Sequence, residues 1–395
     1  MKKLIFLFSI IITIDVHAKS ENTAPLLVEK RVCSENQYSS FGIYNQCPES
    51  PDGSRIIYTV YDYYPDEVKM VSPVSLWICD SNLNNHRLIK KLEYETCNHN
   101  GAFQQWVDNN SIAYSGTHIK KVNNKYFKGG IIVINADTGK IEYGPYTGGF
   151  LSDNSYDGKL MMNIQFEDTN LGTKGLYELD TKSGIVKCLF RNSDFIKFRD
   201  KHNWSGNKEP KLWSITHSMY STDGSHIAFS VHTHGQGGHQ QFFTCKADKT
   251  DIVYWGTDFP GHFLWYDENT LWGSDYNVDD GQTNDRFFKR WNRHRNYIET
   301  LSGPGCHTAA SADRQWFAGD TSYNSDPIKL FLYKKGMATP SAVIFEHKFP
   351  DITWKARGHV NPSFSRDGKR LYYNRAISET MKQAYYCDIS EIVRN

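Results

Sequence analysis

Short segments of alternating apolar and polar residues run along almost the whole chain, and a tight turn follows each of them. The repeated pattern is an apolar segment, a turn built on Asp-Gly or an equivalent pair, and a β-rich strand, as in FSRDGKRLYYN from Phe364. Alternation with a period of two is typical of β-strands, and Asp-Gly is typical of hairpin turns. The seven turn aspartates are Asp52, Asp108, Asp157, Asp223, Asp267, Asp313 and Asp367.

These repeats predict an all-β fold, a seven-bladed β-propeller. Successive turn aspartates are 44 to 66 residues apart, which is enough for four short strands. Each turn joins the first strand of a blade, A, to the second, B, and strands C and D follow. The seventh repeat ends before a fourth strand, whereas LLVEK from Leu26 is an additional strand near the N-terminus. We therefore predict that this N-terminal strand completes the last blade and closes the ring.

The N-terminus has the pattern of a secretory signal. Two lysines precede the apolar run Leu4–Ile14, which is too short to span a bilayer, and Ala18 ends a cleavage-site pattern. The alternative interpretation is a buried N-terminal helix. We predict a signal peptide over residues 1–18, a single propeller domain over 19–395, and a secreted or periplasmic protein without a membrane anchor.

Composition narrows the possible partners. The chain has 45 basic and 44 acidic residues and a net charge of +1, which does not indicate a nucleic-acid-binding protein. Aromatic residues make up 14% of the chain, a content that suits either packing between sheets or stacking on sugar rings. An exported chain with eight cysteines permits disulfides, and Cys33–Cys47 and Cys79–Cys97 are the expected local pairs.

Histidines recur at the positions that lead into strand A and at the ends of strand B, on one face of the predicted disc. His99 and His118 lie at the ends of neighbouring strands in blade 2, where two imidazoles suit proton transfer near neutral pH. His217, His262 and His307 begin strand A in blades 4, 5 and 6. Three such imidazoles predict a divalent metal site, with zinc in a structural role as the expected ion. The alternative is a channel lined with hydrogen-bonded histidines.

Two known kinds of propeller resemble this chain. The segments SRDGKRLYYN and STDGSHIAFS resemble the repeats of TolB-like propellers along nearly the whole chain, and this resemblance implies a fold rather than an activity. GCHTAASADRQWFAGDTS from Gly305 and RGHVNPSFSRDGK from Arg357 are similar to segments of oligogalacturonate lyases. The two histidines of blade 2 resemble the pair of the ulvan lyases.

The lyase resemblance implies a catalytic histidine pair, a tyrosine and an arginine. The pair corresponds to His99 and His118, whereas Tyr220 and Arg199 are candidates by location, as a catalytic tyrosine and a substrate-binding arginine. The metal motif of oligogalacturonate lyases, a glutamine just before two near-adjacent histidines, is not reproduced around His359. This departure argues against pectin fragments as the substrate.

The sequence therefore predicts a secreted monomeric polysaccharide lyase that cleaves an anionic, uronate-containing polymer, ulvan-like, by β-elimination. The long segment FRNSDFIKFRDKHNWSGNKEPKLW before blade 4 is basic and aromatic, which suits such a polymer or an ordinary solvated insertion. The alternatives are a non-catalytic TolB-like binding propeller, an oligogalacturonate lyase, and a hydrolase or other metal enzyme that uses the same face.

Overall fold

A computed structural model of the chain describes residues 27–63, 71–96, 101–116, 119–122, 125–128, 130–167, 169–257, 261–274, 287–321, 325, 327–347, 359–378 and 381–394. Within these ranges the strands form seven four-stranded antiparallel sheets. The predicted seven-bladed β-propeller is confirmed. Among these residues, no helix is long and apolar enough to cross a membrane.

Each blade runs from strand A at the axis to strand D at the rim. Blades 1 to 3 are β2 (Tyr38–Ser40), β3 (Arg55–Tyr61), β4 (Ser72–Asp80), β5 (Arg87–Thr96); β6 (Gln105–Trp106), β7 (Ser111–Ser115), β10 (Gly130–Asn135), β11 (Ile141–Thr147); and β12 (Gly149–Tyr156), β13 (Lys159–Ile164), β14 (Gly175–Asp180), β15 (Ile185–Arg191). A separate hairpin, β8 (Ile119–Val122) and β9 (Lys125–Lys128), joins strands B and C of blade 2.

The remaining blades follow the same order. Blades 4 to 7 are β16 (Ser214–Tyr220), β17 (His226–His232), β18 (Gln240–Lys246), β19 (Val253–Thr257); β20 (Gly261–Trp265), β21 (Thr270–Ser274), β22 (Phe287–Asn292), β23 (Tyr297–Pro304); β24 (Thr308–Ala310), β25 (Trp316–Asp320), β26 (Ile328–Lys334), β27 (Ala342–His347); and β28 (Ser363–Phe364), β29 (Arg370–Ser378), β30 (Met381–Asp388), β1 (Glu29–Arg31). Short helices are α1 (Ile196–His202) before blade 4 and α2 (Ser390–Val393) at the C-terminus.

The N-terminal strand closes the ring as predicted. Strand β1 pairs with β30 in antiparallel register, with Glu29 opposite Cys387 and Arg31 opposite Tyr385. The strand begins at Glu29, three residues later than the predicted start at Leu26. Because β1 supplies strand D of blade 7, this pairing joins the two ends of the chain and covers an edge that would otherwise be exposed.

The repeated turn has a direct physical basis. In the turn of blade 1, the Asp52 carboxylate accepts hydrogen bonds from the Ser50 hydroxyl at 2.5 Å and from the Ser54 N–H at 3.0 Å. The Ser50 hydroxyl, the first of these donors, and the Ser54 groups lower the pKa of Asp52 to about 2. The same contacts recur around Asp223 in blade 4. An aspartate at this position therefore closes the A–B turn by satisfying donors on both sides of it.

Burial follows the position of a strand within its blade. Strand B is buried along its whole length in β7, β21 and β25, because it packs against the blade on either side. Strand D is largely exposed, as in β11. Aromatic contacts join neighbouring blades, and the ring centroids of Trp272 in blade 5 and Phe317 in blade 6 are 5.1 Å apart. The apolar core therefore lies between blades.

The predicted Cys33–Cys47 disulfide is wrong. Both residues are thiols in the structure, and the Cys33 sulfur instead accepts a hydrogen bond from the Ser39 hydroxyl at 2.9 Å. Nearness in sequence was a poor guide because the chain between the two cysteines turns away into the centre of the ring. Cys79 is also a thiol, and its expected partner Cys97 lies outside the described residues.

Ring closure gives a prediction for Glu29. Its carboxylate accepts hydrogen bonds from Tyr373, at 2.5 Å, and from Arg375. Glu29→Ala leaves this largely buried guanidinium without its carboxylate, so the free energy of unfolding should fall by about 1–3 kcal/mol. Urea denaturation of the purified protein measures this change.

The control for that experiment is Glu391→Ala, which removes the carboxylate of an exposed pair with Arg394. Surface substitutions of this kind change stability by about 0.5 kcal/mol or less. Equal losses in Glu29→Ala and Glu391→Ala would mean that the β1 contact does not hold the ring closed.

Candidate active and metal site

Histidines from blades 4 and 5 enter the axis at irregular points in the inner strands. The pairing register of β16 and of β20 with the next strand shifts at the histidine, which is the mark of a β-bulge. His217 and His262 have φ angles of 48° and 46°, a left-handed conformation that is uncommon for a residue other than glycine. A bulge bends the strand and redirects its side chains, which places these imidazoles at the axial end of the blades.

Three potential metal ligands meet between blades 5 and 6. One ligand atom from each of His262, Cys306 and His307 lies within 4.8 Å of the other two, and Nδ1 of His262 is 3.9 Å from Sγ of Cys306. The ring centroids of the two histidines are 4.7 Å apart. The structure therefore brings together two of the three predicted metal ligands and adds Cys306, the residue that precedes His307.

A buried chain of polar contacts fixes the orientation of His307. The Asp320 carboxylate accepts hydrogen bonds from the His307 backbone N–H at 2.7 Å and from Nδ1 at 2.9 Å. On the other side of the ring, Nε2 of His307 lies 2.6 Å from Nδ1 of His359. Because a carboxylate accepts the Nδ1 proton, the lone pair of His307 is on Nε2.

A segment of blade 1 forms one side of this cluster. Strand β2 ends at Ser40, and pairing with β3 resumes only at the bridge between Glu49 and Ile56. The intervening residues 41–48, which we call the axial segment, reach across the centre of the ring. Within it, the Tyr44 ring lies edge-on to His262 at 5.2 Å and against His307 at 5.7 Å.

Hydrogen bonds hold the axial segment to blades 6 and 7. The Asn45 N–H donates to the Pro362 carbonyl at 2.8 Å, and its side-chain oxygen accepts from the Ala310 N–H at 3.2 Å. The Asn361 side chain donates to the Gly42 carbonyl at 3.0 Å. The axial segment of blade 1 is thus anchored to blades 6 and 7, with Tyr44 held against the histidines.

His217 lies in a separate part of the same face. It does not belong to the close group of His262, Cys306 and His307. Burial, and secondarily the neighbouring His232, lower the pKa of His217 to about 4. This imidazole is therefore neutral near pH 7. His232 and His234 form a pair of their own nearby, with ring centroids 3.9 Å apart.

The structure gives Tyr220 a position in the interior. Only 2% of this residue is exposed, and its hydroxyl donates to the Glu178 carboxylate of blade 3 at 2.5 Å. Burial, together with Glu178, raises the pKa of the Tyr220 hydroxyl well above its usual range. This hydroxyl joins two blades and does not reach the axial histidines. These contacts favour a structural role for Tyr220 over the predicted catalytic one.

Arg199 lies on α1, away from the axis. Its guanidinium pairs with Asp200 at 2.7 Å, donates to the Lys208 carbonyl at 2.5 Å and lies over the Trp213 ring. These contacts hold the long connection before blade 4 in its fold. They favour a structural role for Arg199 over the predicted contact with substrate.

The predicted catalytic pair lies outside the described residues. His99 falls in the gap at 97–100 and His118 in the gap at 117–118, so their roles stay predictions. Sequence reasoning missed Asp320 and Tyr44. Asp320 could have been identified as the single acidic residue at the end of the apolar strand β25. No spacing or motif in the sequence marks Tyr44.

The fold defines the class of protein as a seven-bladed propeller, and comparisons support that class. No family model matches the sequence, and no curated protein matches it. An oligogalacturonate lyase in complex with manganese is 15% identical, with 93% of this chain and 94% of that chain covered and a TM-score of 0.60. An oligogalacturonate lyase from Vibrio parahaemolyticus is 12% identical, with 94% and 96% covered and a TM-score of 0.61. TolB from Acinetobacter baumannii is 14% identical over 85% and 64%, with a TM-score of 0.39.

The similarities to the two lyase structures confirm, at the level of the fold, the resemblance to propeller lyases that was drawn from the sequence. The alignments cover nearly the whole of both lyase chains. At 12–15% identity they establish the architecture and not the chemistry of the site.

The lowered pKa of His217 predicts a pH dependence of stability. The unfolded chain takes up a proton near pH 6.5, whereas the folded protein does so only near pH 4, so stability is lost as the pH falls through this interval. The loss amounts to about 3 kcal/mol when complete. His217→Gln removes it, so the variant should gain stability relative to the parent as the pH is lowered from 7.

Urea denaturation of both proteins across that pH interval measures the difference. His294→Gln, at an exposed turn of blade 5, controls for replacing a histidine in itself. A difference in stability between parent and His217→Gln that is the same at pH 7 and near pH 4 would contradict the prediction.

The anchoring of the axial segment can be tested at Asn45, which has a φ of 55°. Asn45→Gly keeps this conformation accessible but leaves the buried Ala310 N–H without its acceptor, at a cost of about 1–3 kcal/mol. Asn45→Ala adds roughly 1–2 kcal/mol of backbone strain to the same loss. The expected order of stability is therefore parent, Asn45→Gly and Asn45→Ala, measured by urea denaturation. Three equal stabilities would show that Asn45 does not anchor the segment.

Proposed function

We propose that this chain is a polysaccharide lyase that cleaves an anionic, uronate-containing polysaccharide by β-elimination. The observation that carries the proposal is the cluster of imidazoles, a thiol and a carboxylate at the axis of a propeller that matches oligogalacturonate lyases over nearly its whole length. The cluster lies at the starts of strands A, on the same face as the predicted positions of His99 and His118.

The reaction assigns distinct tasks to the site. The uronate carboxylate must be neutralised, the proton on C5 must be removed, and the leaving oxygen O4 must be protonated. In our proposal one histidine of the pair His99 and His118 removes the C5 proton and the other protonates O4. Both are predicted at strand ends on the substrate face. Imidazoles are suited to both steps because their unperturbed pKa is near neutrality.

The axial cluster supplies electrostatic support. A divalent ion, when bound there, contributes positive charge that attracts the uronate carboxylates. Of the predicted metal set, His262 and His307 lie together, whereas His217 lies apart on blade 4, where burial keeps it neutral near pH 7. An ion between blades 5 and 6 would also join the two sheets, which is the structural role expected from the sequence.

Two substrate classes remain candidates, and each has its own support. Two of the structures similar to this chain are oligogalacturonate lyases, which favours oligogalacturonate. The predicted pair His99 and His118 and the absence of the glutamine motif around His359 favour an ulvan-like polymer. Both are uronate polymers, so the same elimination applies. We further propose that the protein acts as an exported monomer, after removal of the signal peptide at residues 1–18.

The decisive experiment is a screen of the purified mature protein against ulvan, polygalacturonate, alginate and glycosaminoglycans. β-Elimination produces an unsaturated uronate, which is followed by its ultraviolet absorbance. His99→Ala and His118→Ala should each reduce turnover of the active substrate by about 100-fold or more, since each removes a proton-transfer group. Circular dichroism of each variant checks that the fold is intact.

His294→Ala, at an exposed turn of blade 5, is the matched control and should keep full activity. Full activity of both His99→Ala and His118→Ala would remove the histidine pair from the mechanism. Absence of an unsaturated product from every polymer would overturn the proposed reaction itself.

A further inference from the structure

We propose that His262, Cys306 and His307 form a thiolate-containing site for a zinc-class metal ion, and that this site disfavours manganese. The inference rests on the proposed function for its biological setting, because it concerns the metal of the same axial cluster. It differs from the ligand set predicted from sequence in one residue, since Cys306 takes the place of His217.

The three ligand atoms are close together, but more widely spaced than the ligands of an occupied tetrahedral site. Metal–nitrogen bonds of about 2.0 Å and metal–sulfur bonds of about 2.3 Å place the ligand atoms of a tetrahedron about 3.3 to 3.7 Å apart. The sulfur of Cys306 is 3.9 Å from Nδ1 of His262, and all three ligand atoms lie within 4.8 Å. A contraction of a few tenths of an ångström at this pair would bring it to coordination distance.

The surroundings prepare His307 for a metal ion. Asp320 accepts the Nδ1 proton at 2.9 Å, so the lone pair of this imidazole is on Nε2. His307 and Asp320 are 2% and 1% exposed, so the carboxylate is held in place by its buried partners. Nε2 of His307 lies 2.6 Å from Nδ1 of His359, so an ion could bind Nε2 only if the His359 ring moved out of this contact and kept its own proton.

The donor set selects the metal. Thiolate and imidazole ligands favour zinc, cobalt and similar ions, whereas manganese prefers carboxylate, carbonyl and water oxygens. One similar structure is an oligogalacturonate lyase in complex with manganese, and a site containing the Cys306 sulfur does not fit that ion. Binding converts the Cys306 thiol to a thiolate and releases its proton to solvent, so the affinity rises with pH.

The test uses the full mature protein, stripped of metal by a chelator and dialysed against Zn²⁺, Co²⁺ or Mn²⁺ in turn. We expect about one equivalent of Zn²⁺ or Co²⁺ by elemental analysis and no stoichiometric Mn²⁺. Bound Co²⁺ should show a thiolate-to-cobalt charge-transfer band in the near ultraviolet, which reports the sulfur ligand directly.

Three variants assign the ligands. Cys306→Ser should lose the charge-transfer band, whereas Cys188→Ser, a thiol of blade 3 outside the cluster, should keep it. His217→Ala should also keep both band and stoichiometry, which separates this site from the ligand set predicted from sequence. Asp320→Asn should keep the band but weaken Co²⁺ binding by about 10- to 100-fold, because it loosens the orientation of His307.

Some results would overturn the inference. They are stoichiometric Mn²⁺ binding in preference to Zn²⁺, no bound metal in the parent protein, or an unchanged Co²⁺ band in Cys306→Ser. The outcome is independent of the proposed reaction, since no substrate is present. A protein that binds Co²⁺ through Cys306 but cleaves no uronate polymer would overturn the lyase proposal alone, and one that cleaves a polymer without a thiolate-bound metal would overturn this inference alone.

Discussion

The architecture of the site depends on how the centre of the ring is filled. Seven inner strands surround the axis, so side chains that face it are buried only where a further segment of the chain provides a partner. Here residues 41–48 of blade 1 provide it, with Ile43 and Tyr44 packed in the same buried cluster as Met219 and Trp265 of blades 4 and 5. Tyr44 thereby shields one side of the axial histidines. The axial histidines would contact water in an open channel, whereas here the axial segment removes them from water on one side.

Because the cluster is removed from water, its polar and charged groups need partners within the protein. A buried carboxylate such as Asp320 is tolerated only when hydrogen-bond donors satisfy it, and two groups of His307 do so. The hydrogen bond to Asp320 fixes a proton on Nδ1 of His307, so the lone pair of Nε2 is directed toward His359. Proton exchange and metal binding then compete for a single atom. The rigid orientation of His307 is a consequence of the buried acid, which belongs to the same blade.

The sequence predicted the repeat more completely than the site. The spacing of the turn aspartates identified seven blades, because each repeat is formed by residues that are close in sequence. The missing fourth strand of the last repeat identified the closing strand. The spacing also placed His262 and His307 together, since both occupy the same repeat position in consecutive blades. The contact of Tyr220 with Glu178 could not be predicted, because it joins two residues, in different blades, that are distant in sequence. Tyr44 could not be found, because its contacts depend on a loop that crosses the ring.

The same logic explains how one fold permits different chemistry at its axis. The blade framework depends on turn aspartates and inter-blade apolar packing, and neither constrains the residues at the start of strand A. There blade 5 carries His262, which has a left-handed φ, and blade 6 carries the pair of Cys306 and His307. A single exchange of an oxygen ligand for sulfur there changes the preferred metal without disturbing the blades. Likeness in fold to the manganese-bound lyase therefore leaves the choice of metal to the axial residues of this chain.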